Sequence, residues 1–337
     1  MPRIKSSEYI YAVSRIRAVE PNLISPAGLE RMMEAETLEA AVKVLADAGY
    51  DLPAGECSQE GYSEKLLADE HKKLYRLLKE IAPQPEIFDL FLQPQDFHNI
   101  KVILKAEFMG MENFDKFLTN TGTLEKNKLK SILRERELEA IPDIMRQAVE
   151  ETLRDFHHNR DPQRIDILLD KACYRRMRKI ADSFSHDSLK NFVIITVDLL
   201  NIRILLRLKQ LKKEKDFVQE ALLPGGGHPP QEWLKLLDAP LQEFITYLES
   251  TPYREGIVKG VKSFRTDGNL MLLEKLSDNF LMRCAKKAKY RIEGLEPLIA
   301  YLIAKETEMK NVRMILKGKR YGIPRQEIRE RLREVYV

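Results

Sequence analysis

Few stretches of this sequence carry residue types that could do chemistry. DILLD places Asp166 and Asp170 one helical turn apart, an arrangement reminiscent of the aspartate-rich helices that hold magnesium diphosphate in prenyl-transferring enzymes. Such a site also needs an adjacent acid pair and a second acidic helix, and both are missing. A helix surface or an internal ion pair is the expected role. DFHHNRD sets His157 beside His158, but zinc ligands come as separated clusters and no second cluster follows. PGGGHPP at 224–230 has glycines without GK[ST], and Gly318-Lys319 lacks the rest of a phosphate loop. The triple glycine flanked by prolines reads as a linker. LKQLKKEKD offers bases with no aromatics between them, the pattern of a solvated helix end rather than of a nucleic-acid site. No nucleophile–base arrangement can be argued from spacing. No catalytic residue, metal or cofactor is expected.

The elements that would position any site are helical. Leu, Lys, Glu, Arg and Ala dominate between clusters of the 15 glycines and 16 prolines, which predicts an all-α chain. FVIITV at 192–197 is the best strand candidate, yet it reads better as the start of a buried helix. Ser25-Pro26 marks a helix start and Gly49 a stop, and Pro324 opens a last helix. With 44% hydrophobic and 32% charged residues over 337 positions, a packed chain is expected and a disordered one excluded. The net charge of +4 permits an acidic partner without demanding nucleic acid. Cys57, Cys173 and Cys284 lie far apart, which favours free thiols in a reducing compartment. The N-terminus has no signal-peptide apolar core. The most apolar stretch, Phe192 to Leu208, is broken by Asp198, Asn201, Arg203 and Arg207, short of the roughly 20 apolar residues of a membrane span. A cytoplasmic chain is expected, held to a membrane only through a partner.

One ten-residue pattern comes back three times: DFHNIKVILK from Asp96, DLLNIRILLR from Asp198 and EMKNVRMILK from Glu308. The order is an acid, two variable residues, Asn, Ile or Val, a base, an apolar residue, Ile or Leu, Leu and a base. The asparagines Asn99, Asn201 and Asn311 are about a hundred residues apart, the spacing of a tripled domain. Domains at 1–112, 113–217 and 218–337 follow, the last with a C-terminal helix. A weaker echo aligns RIDILLDKACY with LLEKLSDNFLM, matching Asp166 with Glu274 and Asp170 with Asp278.

On a helical wheel the apolar positions share one face. The acids Asp96, Asp198 and Glu308 fall inside that arc, with the asparagines at its edge. A carboxylate on a packing face costs several kcal/mol if unpaired, by rough estimate. An Arg or Tyr from a neighbouring helix is therefore expected at each acid, with Arg15, Arg17 and Tyr9 as candidates for the first. The bases stack four apart on the opposite side, as Lys101 with Lys105, Arg203 with Arg207 and Arg313 with Lys317. They are solvated rows by default and, if the copies are arranged by symmetry, a candidate partner surface.

YIYAVSRIRAVE near the N-terminus, FLQPQDFHNIKVILKAEF in the first third and MKNVRMILKGKRYGIPRQEIRERLREVYV at the C-terminus resemble the C-subunit family of V/A-type ATPases, whose eukaryotic relative is the d subunit. The resemblance covers the whole chain and is most specific in its C-terminal block. It implies three similar helical domains in a pseudo-threefold funnel on the cytoplasmic face of a membrane rotor ring of c/K-type proteolipid. One copy would receive the tip of the shaft built by the D and F subunits and transmit torque for proton or sodium transport. No active site and no nucleic-acid partner are implied.

Overall fold

The computed structural model describes residues 5–59 and 61–337, and among these every regular element is a helix. The α-helices are α1 (Ile10–Val19), α2 (Pro26–Glu34), α3 (Leu38–Asp47), α4 (Tyr62–Ile81), α5 (Asp89–Phe108), α6 (Lys126–Glu135), α7 (Asp143–Asn159), α8 (Pro162–Ser183), α9 (Asp187–Gln210), α10 (Lys215–Ala221), α11 (Pro230–Lys235), α12 (Leu241–Glu249), α13 (Ile257–Asp267), α14 (Met271–Lys286), α15 (Glu296–Arg320) and α16 (Arg325–Arg331). FVIITV lies inside α9, as expected. Helix starts follow side-chain chemistry. Ser25 Oγ accepts the Gly28 N–H at 3.2 Å, Thr37 Oγ1 that of Ala40 at 3.1 Å and Asp161 Oδ1 that of Gln163 at 2.8 Å. The chain divides into two compact units, Glu86–Ala239 and the described residues of 5–85 with Pro240–Val337.

In the unit Glu86–Ala239, α8 packs against α5, α7 and α9. The apolar positions of the first two template copies line its core. Phe97, Ile100, Ile103 and Leu104 are buried, as are Leu199, Ile202, Leu205 and Leu206. Phe91 meets Phe192 with centroids 4.8 Å apart, and Phe108 stacks on Phe156 at 3.8 Å. In the other unit α15 touches α1, α2, α3, α4, α14 and α16, and α13 packs on α14. The template positions of α15, Met309, Val312, Ile315 and Leu316, are buried. Lys305 is buried there between two acids, with Nζ 2.8 Å from Glu70 and 2.7 Å from Glu308.

Each template asparagine is fully buried and clasps one backbone residue downstream. Asn99 donates to Thr119 O at 3.0 Å and accepts from Thr119 N at 2.8 Å. Asn201 treats Leu223 alike, at 2.9 and 2.8 Å. Asn311 treats Arg333 alike, at 3.0 and 2.9 Å. A primary amide presents a donor and an acceptor side by side, so it pairs with a peptide as another strand would. The asparagine thus fixes a loop to a long helix where no sheet is available.

In the first two copies the acid serves the same loop, and in the third it serves a different segment. Asp96 accepts from Thr123 Oγ1 at 2.5 Å and Leu124 N at 3.0 Å, and Asp198 from Gly227 N at 3.0 Å and His228 N at 3.4 Å. Glu308 accepts from Ile24 N at 2.5 Å and Tyr50 OH at 2.7 Å. Leu124, His228 and Ile24 each immediately precede the cap residue of a helix, α6, α11 and α2. Two expectations are corrected. The expectation of an Arg or Tyr at each acid holds at Glu308, met by Tyr50, and is corrected at Asp96, whose hydrogen bonds come from backbone N–H groups and a threonine. Tyr9 donates to Gln84, and Arg17 binds Glu20 and the carbonyls of Ala288 and Arg291. The glycine run at 225–227 is also no linker. A Cβ on Gly226 would fall on Asp198 Oδ1, just as one on Gly122 would fall on Asp96 Oδ1. Glycine is required there because the carboxylate approaches the backbone itself. In the third copy the acid is Glu, one methylene longer, and Asn22 rather than glycine stands two residues before the Ile24 N–H it accepts from.

On α14, burial alone would raise the Asp278 carboxyl. Lys310 and Arg333, both at 2.9 Å, hold it below the usual carboxylate range. Its contribution is therefore complete above an ordinary Asp pKa of about 3.9 and is lost as pH falls through the depressed folded value. Asp278→Asn is expected to cost about 1–2 kcal/mol at pH 7. Urea unfolding should show the gap from wild type closing in acid. Asn201→Ala strips a buried N–H and C=O of their partners, each at about 1–3 kcal/mol. An overall loss of roughly 2–4 kcal/mol is expected, with Asn201→Asp also destabilising because it turns an acceptor towards Leu223 O.

Candidate partner interface

The basic rows do not all face solvent alone. Lys101 Nζ lies 2.6 Å from Asp170 Oδ1, and Lys105 Nζ 2.6 Å from Asp166 Oδ2. The two acids of DILLD and the two bases of the first copy therefore form one ladder between α5 and α8. The bases of the third copy use α4 instead, with Arg313 Nε 3.3 Å and Lys317 Nζ 2.9 Å from the two oxygens of Glu64. Burial pushes the Glu64 carboxyl up, but these two cations outweigh it and hold it low. α4 thus does for α15 what α8 does for α5. The aligned pair Asp170 and Asp278 does not behave alike, since Asp278 meets Lys310 and Arg333 rather than Arg313. Arg203 is half-buried near Tyr174, and Arg207 is exposed.

The repeat extends past the ten residues read in the sequence. Eight positions after the asparagine, Lys209 Nζ donates to the carbonyls of Leu236 at 3.3 Å, Leu237 and Ala239 at 2.6 Å, closing the end of α11. Lys319 donates to Met33 O at 2.9 Å and Ala35 O at 2.5 Å, closing α2 in the same way. In the first copy this position is Glu107, and the base comes from the opposite side. Arg136, which ends α6, binds both Glu107 and Leu133 O.

Ten positions after the asparagine each long helix ends on an exposed apolar residue. These are Met109, Leu211 and Tyr321, exposed by 65%, 57% and 74%. The next residue is left-handed in each, Gly110, Lys212 and Gly322. The following N–H then reaches back to the helix, from Met111 to Ala106 O at 2.8 Å, Lys213 to Leu208 O at 3.1 Å and Ile323 to Gly318 O at 2.8 Å. The exposed side chain is thus held at a rigid helix end. Sequence reasoning missed these three positions because the ten-residue pattern stops at the second base.

The remaining chemistry-bearing residues stay apart. His157 and His158 close α7 with rings 5.6 Å apart, and no group of three potential metal ligands occurs among the described residues. Burial pushes the Cys173 thiol up, and Cys57, Cys173 and Cys284 are free thiols. No described helix is long and apolar enough to cross a membrane.

Residues 12–331 match the family model described as ATP synthase (C/AC39) subunit. The C subunit of a V-type sodium ATPase from Enterococcus hirae is 28% identical over 95% of this chain and 97% of its own length. The A-type ATP synthase C subunits of Methanocaldococcus jannaschii and Thermococcus gammatolerans are 26% and 27% identical, over 98% and 97% of this chain and 87% and 90% of theirs. On that match, which spans nearly the whole chain, the protein belongs to the ATP synthase (C/AC39) subunit family and is a non-catalytic subunit of a V/A-type rotary ATPase.

Proposed function

We propose that this chain is the central-stalk socket of its rotary ATPase, joining a shaft of D and F subunits to the membrane rotor ring on the cytoplasmic side. One copy would serve each complex and carry torque between the nucleotide-driven head and the ion-carrying ring. Three domains, 1–112, 113–217 and 218–337, would form a pseudo-threefold funnel around the shaft. The observation that carries this reading is the repeated asparagine clasp. A chain of this family in which three long helices are each bolted to a loop by the same two bonds has the stiffness a torque adaptor needs.

The interface part of the proposal narrows within the six bases. Lys101, Lys105, Arg313 and Lys317 have carboxylates of their own chain to hold, so their charge is partly spent on the fold. Arg207 is exposed one turn before Leu211, and with Met109 and Tyr321 it is the stronger contact candidate. Charge reversal should separate the two roles. Lys101→Asp is expected to lower stability by about 1 kcal/mol, with recovery on adding Asp170→Lys. Arg207→Glu is expected to leave the unfolding midpoint unchanged. It should reduce the amounts of ring-forming and shaft proteins captured with the tagged chain from host membranes in mild detergent. Capture of the wild-type chain without those proteins would overturn the socket reading. Undiminished capture by Arg207→Glu combined with Met109→Ser, Leu211→Ser and Tyr321→Ser would overturn the interface.

A further inference from the structure

The turn after α14 holds the two most exposed large apolar side chains among the described residues, Tyr290 at 88% and Ile292 at 79%. Such exposure on a floppy loop would mean little. This loop is tied down. The Arg17 guanidinium donates to the carbonyls of Ala288 and Arg291, both at 2.9 Å, and Gly294 N donates to Ser6 O at 3.1 Å. Arg291 is further paired with Glu296 at 3.0 Å. The loop therefore runs along the start of the chain, anchored at Ser6 and Arg17. Ile10 lies between these anchors, four residues from one and seven from the other. Its seven-residue spacing from Arg17 puts it on the same face of α1, and it is 49% exposed.

The same loop is basic. Lys286, Lys287, Lys289 and Arg291 fall within six residues, Lys287, Lys289 and Arg291 are exposed, and Lys289 lies over the Tyr336 ring. The acids beside them in sequence are Glu293 and Glu296, the latter engaged by Arg291. The patch is thus two apolar prongs on an anchored loop, with the exposed bases Lys287 and Lys289 just before them and Glu293 just after. It is too small to hold a protein alone, since a stable interface covers roughly 800 Å² on each partner. A bilayer surface makes no such demand. Tyr and Ile enter the headgroup boundary, while each base gains from anionic lipid.

We propose that the Tyr290–Ile292 loop is a contact site for an anionic lipid surface. The site does not depend on the socket reading.

Co-sedimentation of the full chain with vesicles tests the proposal. Phosphatidylcholine vesicles should leave it in solution, and vesicles with about one-third phosphatidylserine should bind it at low salt and release it as salt rises. Tyr290→Ser with Ile292→Ser, and separately Lys287→Glu with Lys289→Glu, should each weaken binding by about tenfold or more. The unfolding midpoint of the Tyr290→Ser, Ile292→Ser variant should match wild type because those side chains are exposed, and that of the Lys287→Glu, Lys289→Glu variant should fall only slightly, by the loss of the Lys289 contact with the Tyr336 ring. Failure to bind the anionic vesicles, or binding that either double variant leaves intact, would overturn the proposal. So would a chain that ignores vesicles yet loses an acidic protein from the assembled complex on the same substitutions, which would assign the patch to a protein.

Discussion

The structure depends on how a buried polar pair is satisfied. Each long template helix carries a carboxylate and, three residues on, an amide into its packing face. Neither can stay there without partners, because an unmet polar group in a protein interior costs more than most single contacts return. In the first two copies the partners are mainly the backbone of one loop, taken hold of at two places, and the long helix, the loop and the short helix that follows are thereby locked in one geometry. In the third the amide holds Arg333 and the carboxylate holds Ile24 and Tyr50. The apolar face supplies most of the cohesion and would tolerate sliding. The clasp permits one register.

Much of this is legible in the sequence. Recurrence of acid, asparagine and base at fixed spacing exposes three copies of the ten-residue pattern, and the wheel places Phe97, Ile100, Ile103 and Leu104 in the core where they are found. It also draws the acid into that core. The identity of the acid's partner is not legible, because a backbone N–H has no letter. Side chains alone suggest Arg or Tyr, yet peptide N–H groups meet Asp96 and Asp198. The same blindness turns PGGGHPP into a linker. Its glycines record how near a carboxylate comes to the chain, which composition does not distinguish from a need for flexibility.

The charged rows show a different limit. In the sequence DILLD and the bases of the first copy are separate features, one hinting at a metal and the other at a partner. In the fold they neutralise each other across α5 and α8. Opposite rows on two helices are invisible until the helices are known to pack together, and the third copy solves the same problem from α4 rather than from the aligned helix. The repeat therefore keeps a physical requirement while exchanging the residue that meets it, as Glu107 with Arg136 also does where the other copies use lysine.

The third copy differs in one further respect. Asp96 and Asp198 reach loops that follow them, whereas Glu308 accepts from Ile24, 284 residues earlier in the chain. A ribosome delivers the N-terminal end first. The start of α2 is therefore made long before the carboxylate that anchors it, and it must wait through most of translation with that N–H open to water. The two earlier copies can close locally as they emerge, but the last closes only when nearly the whole chain has been synthesised. Completion of this fold is thus a late, long-range event, and the nascent N-terminal segment is the part most in need of shelter until then.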